Sequence, residues 1–183
     1  MTFKHTFLAA VLATTALWAQ AQTVSVTGPA TPITVGDTFT LDIVGTDFID
    51  KIFGGGYNIS FDATKLSLAS ITRPAFWELG GPDAVIDNAA GTAIDVNFNT
   101  LNARNGDFLT ATLTFKAIGA GPVEVSLSDS PFWPYGNEAS EAVPVSYASA
   151  SFNVAAVPEP ESLAMLLAGL GVFAALRQRR HQG

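Results

Sequence analysis

Apolar and polar residues alternate with a period of two through most of the chain between residues 22 and 156. In the longest such stretch, 108–118, Leu113 and Phe115 would face one side while Thr114 faces the other. This alternation is typical of strands that place one face on a core and the other in water. Nine segments show it: 24–27, 39–43, 57–61, 66–71, 94–98, 108–118, 123–127, 143–147 and 151–154.

Breaks between these segments predict how the strands connect. Glycine-containing turns are expected at 36–37, 54–56, 105–106 and 119–122. Residues 61–66 predict a single helical turn or a tight corner, and the rest of the domain has no convincing helical period. The pattern therefore predicts an all-β domain, an antiparallel β-sandwich of the jelly-roll type with about nine strands.

Residues 1–21 have the features of a signal peptide. A weakly basic start is followed by an apolar core at 7–18 and by small residues at the end of the segment. We predict cleavage between Ala21 and Gln22, so that the β-sandwich would occupy residues 22–156. An uncleaved membrane anchor is the alternative, although the apolar core is short for a spanning helix.

The C-terminal segment, 157–183, has three features in a fixed order. They are Pro158, Glu159 and Pro160, the uncharged apolar run 162–176, and Arg177, Arg179 and Arg180 in the basic tail 177–183. As a helix the run would span roughly 22 Å, which is short for a bilayer, but arginines remain cytoplasmic and their side chains snorkel. We predict a single transmembrane helix, preceded by an extended proline segment that a protease could grip.

This order resembles the PEP-CTERM sorting signal. The resemblance implies that an exosortase, an integral-membrane cysteine protease–transpeptidase of Gram-negative bacteria, recognises Pro158, Glu159 and Pro160. It also implies export through the inner membrane, transient anchoring there, and a final place at the cell surface or in the extracellular matrix, in association with exopolysaccharide and biofilm. An ordinary C-terminal anchor with a proline-containing stalk is the alternative.

The order of strands is similar to that of cohesin-like and related carbohydrate-binding sandwich domains. The segments that carry the likeness are 35–41, 57–66, 109–117 and 121–127. The resemblance implies a binding module, with polysaccharide or a dockerin-like protein as the partner.

Charge and composition limit the partners and the catalytic mechanisms that the domain could have. Residues 22–156 contain 14 acidic and 5 basic residues, so the domain is acidic and nucleic acid is not an expected partner. The chain has no cysteine, and its two histidines, His5 and His181, lie outside the domain. Ser-His-Asp and Cys-His catalysis and the usual zinc sites are thereby excluded from the domain, and we predict a protein that is not an enzyme. A glycoside hydrolase that uses two carboxylates is the remaining enzymatic alternative.

No cofactor is predicted, although calcium is compatible with two groups of acids. These are Asp42, Asp47 and Asp50, and the pair Asp83 and Asp87. Calcium takes six to eight oxygens from loop carboxylates and carbonyls. The alternative is that these acids are solvated turn residues.

Aromatic residues in two loop-like stretches suggest where a ligand could bind. Trp77 lies in one stretch, and Trp133 and Tyr135 lie in the other, each flanked by proline and glycine. Exposed, these rings would stack on sugars, and they are the candidate carbohydrate-binding residues. Buried, they would close one end of the sandwich core.

The sequence therefore favours an exported surface or matrix protein that acts by adhesion or polysaccharide association. A cohesin-type module with a dockerin-like partner and a carboxylate-based glycoside hydrolase are the two alternatives.

Overall fold

The computed structural model describes residues 22–81, 83–157, 165 and 167–170. Within these residues the chain forms ten strands. They are β1 (Thr23–Val26), β2 (Ile33–Thr34), β3 (Thr38–Phe61), β4 (Leu66–Thr72), β5 (Val85–Asp87), β6 (Thr92–Ala117), β7 (Gly121–Asp129), β8 (Gly136–Asn137), β9 (Ser146–Ala148) and β10 (Ala150–Ala155). Three of them, β2, β5 and β8, were not expected, because two or three residues are too few to show an alternation.

Two layers share the long strands β3 and β6. The first layer has the order β9–β1–β3–β6–β4 and uses the first half of β3 and the second half of β6. The second layer has the order β2–β10–β7–β3–β6–β5 and uses the other two halves. The predicted sandwich is thus present, and its layers are joined by strands that pass from one layer into the other.

The turns predicted at 54–56 and 105–106 are wrong. Both segments lie inside strands, where β3 and β6 remain paired as they change layers. The strands bend through irregularities in register between Gly45 and Gly54, since a bulge lets a strand change direction without ending. We call this region, 45–54 with 99–108, the crossover end of the sandwich.

The prediction of an antiparallel sandwich is incomplete at two edges. Strand β9 pairs with β1 in parallel, and β2 pairs with β10 in parallel. Each parallel pair lies at the outer edge of one layer, and the other strand pairs are antiparallel.

Aromatic side chains fill the core at both ends. Away from the crossover, Phe61 and Phe115 from opposite layers meet with ring centroids 5.2 Å apart. The predicted corner at 61–66 is present there, because the backbone N–H groups of Lys65 and Leu66 both donate to the carbonyl oxygen of Asp62. At the crossover end the rings of Phe48 and Phe108 lie 4.7 Å apart.

Both chain ends that were assigned to export lie largely outside the described residues. The predicted signal peptide, 1–21 with Ala21, is outside them, as are Pro158, Glu159, Pro160, Arg177, Arg179 and Arg180. Of the predicted transmembrane helix 162–176, Met165 and residues 167–170 are described, and they are helical and exposed. In the part of the chain that is described, no helix has the length and apolar character needed to cross a membrane.

Candidate functional site

Two loops close the crossover end of the sandwich. The first loop comprises residues 73–81 and connects β4 toward β5. The second loop comprises residues 130–145 and contains β8, which pairs with β3 at Ile52 and Gly54. Each loop contains one of the two aromatic stretches that the sequence singled out.

Trp77, in the first loop, lies in the core. Its side chain is 4% exposed, and its ring packs against Phe98 and Phe108 with centroid distances of 4.6 and 5.5 Å. The indole Nε1–H donates to the carbonyl oxygen of Leu109 at 2.8 Å. Trp77 therefore offers no ring face to a sugar, and the core-closing alternative describes its position.

Glu78 fastens the first loop to β6. Its carboxylate accepts hydrogen bonds from the Thr100 hydroxyl at 2.8 Å and from the Leu101 backbone N–H at 3.0 Å. Hydrogen bonds from its own backbone N–H, from Leu101 and from Thr100 hold the pKa of Glu78 below its ordinary value. The loop also makes a cation–π contact with β6, because the Arg104 guanidinium lies 4.0 Å from the centre of the Phe76 ring.

Tyr135, in the second loop, is also buried. It is 2% exposed, and its ring packs against Phe48 and Phe98 with centroid distances of 5.8 and 5.6 Å. A Cβ atom at Gly55 would lie 2.7 Å from the ring, so the ring rests directly on the backbone of β3. The Tyr135 ring closes the core and has no face open for stacking.

Trp133 differs from these two side chains because it is only half-buried. It borders a shallow groove of about 250 Å³, which we call the Trp133 groove. Two exposed rings share the groove, Phe132 at 74% exposure and Phe53 at 38%. The amide side chains of Asn99 and Asn137 provide its polar groups.

The groove is held in shape by backbone hydrogen bonds of the second loop. The Oδ1 atom of Asn137 accepts from the backbone N–H groups of Ala139 and Glu141 at 3.0 and 2.9 Å. With its oxygen engaged in this way, Asn137 has its Nδ2–H₂ group to offer as a donor. The groove thus combines aromatic faces with amide groups and has no charged side chain among its described lining residues.

Sequence reasoning found one of the groove residues, Trp133, and missed Phe53, Asn99 and Asn137. Phe53 lies beside the glycine run that was taken for a turn, so its strand was not recognised. Asn99 faces Gly54 only because β3 and β6 stay paired through the crossover. A pairing between residues so far apart in the chain cannot be predicted from the local alternation of apolar and polar residues.

Three of the five acids considered for calcium have separate partners. The Thr112 hydroxyl donates to Asp42 at 2.6 Å, the Ala89 backbone N–H donates to Asp87 at 2.9 Å, and Arg73 lies 3.7 Å from Asp83. Among the described residues, no group of three or more His, Cys, Asp or Glu side chains is placed to hold a metal ion.

Comparison with known proteins finds a similarity for each of the two parts of the chain. Residues 156–180 match the PEP-CTERM protein-sorting motif. This motif indicates export and C-terminal processing in Gram-negative bacteria. No curated protein sequence matches the chain.

The domain is similar to solved cohesin modules. A non-cellulosomal cohesin from Archaeoglobus fulgidus has a TM-score of 0.60 and 12% identity over 79% of this chain and 97% of the cohesin. The third cohesin of ScaC from Acetivibrio cellulolyticus was solved with the ScaB dockerin. It has a TM-score of 0.60 and 18% identity, over 73% of this chain and 99% of the cohesin. A type I cohesin–dockerin complex from Clostridium thermocellum has a TM-score of 0.61 and 9% identity, over 75% of this chain and 99% of the matched chain. The chain therefore carries a PEP-CTERM sorting motif behind a β-sandwich with the cohesin fold.

Proposed function

We propose that the protein is a non-enzymatic component of the cell surface or extracellular matrix that binds polysaccharide through the Trp133 groove. The observation that carries this proposal is the groove itself, where two exposed rings and a half-buried indole lie beside two amides. Contiguous exposed apolar surface is uncommon on a soluble domain unless it serves binding. Sugars present apolar C–H faces and hydroxyl groups, and this combination of rings and amides complements both.

Each groove residue has a role that follows from its chemistry. Phe132 and Phe53 would cover the apolar face of a pyranose ring, and Trp133 would form the wall beside it. Asn137 would donate to a hydroxyl oxygen through its Nδ2–H₂ group, and Asn99 would offer both a donor and an acceptor. Because the groove is shallow and open, it suits the flank of a long chain better than an enclosed small molecule.

The sorting motif supports a place of action at the cell surface or in the matrix. In our proposal an exosortase recognises Pro158, Glu159 and Pro160, while Arg177, Arg179 and Arg180 hold the end of the chain on the cytoplasmic side. Cleavage of the predicted signal peptide before Gln22 and removal of the tail would leave the sandwich on the surface or in the matrix. In that mature chain the carbonyl oxygen of Gln22 would keep the hydrogen bond that it accepts from the Ser146 backbone N–H at 2.8 Å.

Affinity electrophoresis of the protein in the exopolysaccharide of its native host tests the groove. We expect Phe132→Ala and Trp133→Ala each to weaken retardation by about tenfold, since each removes an aromatic ring that would contact the sugar. Ile118→Ala is the matched control, because Ile118 is 47% exposed and follows the end of β6 opposite the crossover. Phe132 is the more decisive position, because its exposed ring can be removed without opening the core.

A dockerin-like protein partner is the second candidate, and the fold favours it. Two of the similar cohesins were solved in complex with dockerins. If both groove variants migrate like the unaltered protein in the polysaccharide, and a purified dockerin module binds the chain in titration calorimetry, the second candidate replaces the first.

A further inference from the structure

A cavity of about 280 Å³ lies where the end of β4, the start of β5 and the first half of β6 meet. We call it the Arg73 cavity. Its apolar wall is formed by four aliphatic side chains, which are Ile71, Ala84, Ile86 and Val96. Its polar groups come from Arg73, Asp83 and Asn97, and Arg73 is the positively charged side chain among the described lining residues.

One side of the Arg73 guanidinium is fixed to β6. The Nη1 atom donates to the backbone carbonyl oxygen of Asn97 at 2.9 Å. Asn97 is itself held firmly, since it is 1% exposed and its Oδ1 atom accepts from the Gly81 backbone N–H at 2.8 Å. A guanidinium is planar and rigid, so a hydrogen bond at one nitrogen also sets the direction of the other donors.

The other side of the guanidinium, with Nε and Nη2, has donors to offer. Among the described residues neither atom donates a hydrogen bond, because the nearest acid, Asp83, lies 3.7 Å from Nη2. The Asp83 side chain is 100% exposed, so this ion pair contributes little to stability. A Cβ atom at Gly80 would lie 3.1 Å from Nη2, so the glycine leaves this side of Arg73 uncovered.

These features define the chemistry of the ligand. Two adjacent N–H donors in one plane match the two oxygens of a carboxylate. A ligand carboxylate can replace Asp83 at the guanidinium, because the exposed Asp83 side chain is free to turn into water. The aliphatic wall would contact C–H groups, and the volume lies near the lower limit for small-molecule sites, which suits one sugar ring.

The position of the cavity connects it to the Trp133 groove. Asn97 lines the cavity, and Asn99 lines the groove. The two residues are two positions apart on β6, which is about 7 Å along a strand. A polysaccharide that lies in the groove would therefore have a neighbouring unit within reach of Arg73.

We propose that the Arg73 cavity binds the carboxylate of a uronic acid unit in the polysaccharide whose chain lies in the Trp133 groove. The inference rests on the proposed function and names its ligand class, an acidic polysaccharide. The domain has 14 acidic and 5 basic residues, so it repels anions at long range. Recognition therefore depends on the short-range contact with Arg73, which a simple attraction of opposite charges cannot replace.

Titration of the full chain with a single sugar, followed by NMR, tests the cavity apart from the groove. The probe is methyl glucuronide, and methyl glucoside is the neutral sugar of the same shape. We expect methyl glucuronide to shift the backbone amide signals of Ala84 and Ile86 saturably, and methyl glucoside to leave them in place. Arg73→Lys keeps the charge but loses the planar pair of donors, so it should lower the affinity about tenfold.

Asp83→Asn provides a test that misfolding cannot imitate, because it predicts a gain. Removal of the competing carboxylate should raise the affinity for methyl glucuronide several-fold. Glu124→Gln is the matched control, since it removes one acid at an exposed position on β7 and should leave the affinity unchanged. An equal gain in both variants would reduce the effect to general charge and would overturn a direct contact at Arg73.

Three further results would each overturn the inference: no shift with methyl glucuronide, an equal shift with methyl glucoside, or unchanged affinity in Arg73→Lys. Tighter binding of N-acetylleucine than of methyl glucuronide would assign the cavity to a peptide carboxylate and would overturn it as well.

Affinity electrophoresis separates this inference from the proposed function. Reduction of the carboxyl groups of the host exopolysaccharide to alcohols should weaken retardation of the unaltered protein and leave that of Arg73→Lys nearly unchanged. If reduction has no effect while Phe132→Ala still weakens retardation, the groove binds polysaccharide and the inference about Arg73 is wrong. If methyl glucuronide binds at Arg73 but Phe132→Ala has no effect on the polymer, the cavity site holds and the groove proposal fails.

Discussion

Three consecutive glycines, Gly54 to Gly56, determine how the second loop meets β3. A Cβ atom at Gly54 would collide with Asn99, one at Gly55 with Tyr135 and one at Gly56 with Trp133. The glycines thus supply the floor on which the Trp133 groove is built. Glycine is needed here for close approach of side chains to a backbone, since none of the three has a positive φ.

Gly55→Ala should therefore destabilise the domain. The added methyl group would lie 2.7 Å from the Tyr135 ring, which is held by Phe48 and Phe98 and cannot retreat without disturbing the core. Overpacking of this kind costs about 1–3 kcal/mol, and urea denaturation measures the loss in the free energy of unfolding.

Gly28→Ala is the matched control, because nothing lies within 4 Å of its added methyl group and its φ is not positive. This variant should be neutral or more stable by up to about 1 kcal/mol. Equal stability of the two variants would show that the Tyr135 ring does not rest on Gly55.

The strands show which features of a sequence a local pattern reveals. Alternation located the halves of β3 and β6 near 39–43, 57–61, 94–98 and 108–118, because each half has one face in the core. It could not show that the halves are continuous, since the irregular crossover between them interrupts the period of two and contains glycines that resemble turns. Burial of Trp77 and Tyr135 was equally invisible, because a loop aromatic has the same sequence signature whether it enters a core or faces a ligand.

The first loop makes a prediction about acid. The folded-state pKa of Glu78 is lowered, so its contribution to stability is fully present above the unfolded-state pKa and is lost as the pH falls through the folded-state value. We expect the urea concentration at the unfolding midpoint to decrease as the pH is lowered from neutral to about pH 3. In Glu78→Gln the midpoint at neutral pH should already be lower, so the decrease with pH should be smaller.

The environment of Trp77 reports on the same loop, since Trp77 directly precedes Glu78 and its indole donates to the carbonyl oxygen of Leu109. Its fluorescence should shift toward that of exposed indole at a higher pH in Glu78→Gln than in the unaltered protein. Glu124→Gln, at an exposed position on β7, serves as the control for removal of one acidic group. If the two Gln variants have the same pH profile, Glu78 does not anchor the loop.

In the whole chain, the segments assigned to export are separate from the domain that we propose binds polysaccharide. Among the described residues the buried core extends from Val24 to Val154, within the sandwich, and the described residues of the C-terminal segment are exposed. Both segments assigned to export had clear signatures in the sequence, because targeting machinery reads short linear patterns. The groove proposed as a binding site had a weak signature, because it arises from residues such as Phe53, Asn99 and Trp133 that only the fold brings together.

This separation makes a final prediction about processing. Replacing Pro158, Glu159 and Pro160 with alanine should leave the full-length protein in the inner membrane, because the exosortase would lose its recognition segment while the sandwich still folds. Intact-mass measurement of protein from the envelope and the medium checks this: the unaltered protein should begin at Gln22 and end between Val157 and Pro160, and the variant should retain residues through Gly183. Val157→Ala, which alters the exposed residue directly before the Pro158–Pro160 segment, should be processed normally. Normal release of the triple-alanine variant would mean that residues 158–160 are not a recognition segment. An unaltered protein that retains residues through Gly183 would instead mean that the tail is a plain membrane anchor, and the sandwich would then have to reach polysaccharide from the membrane surface.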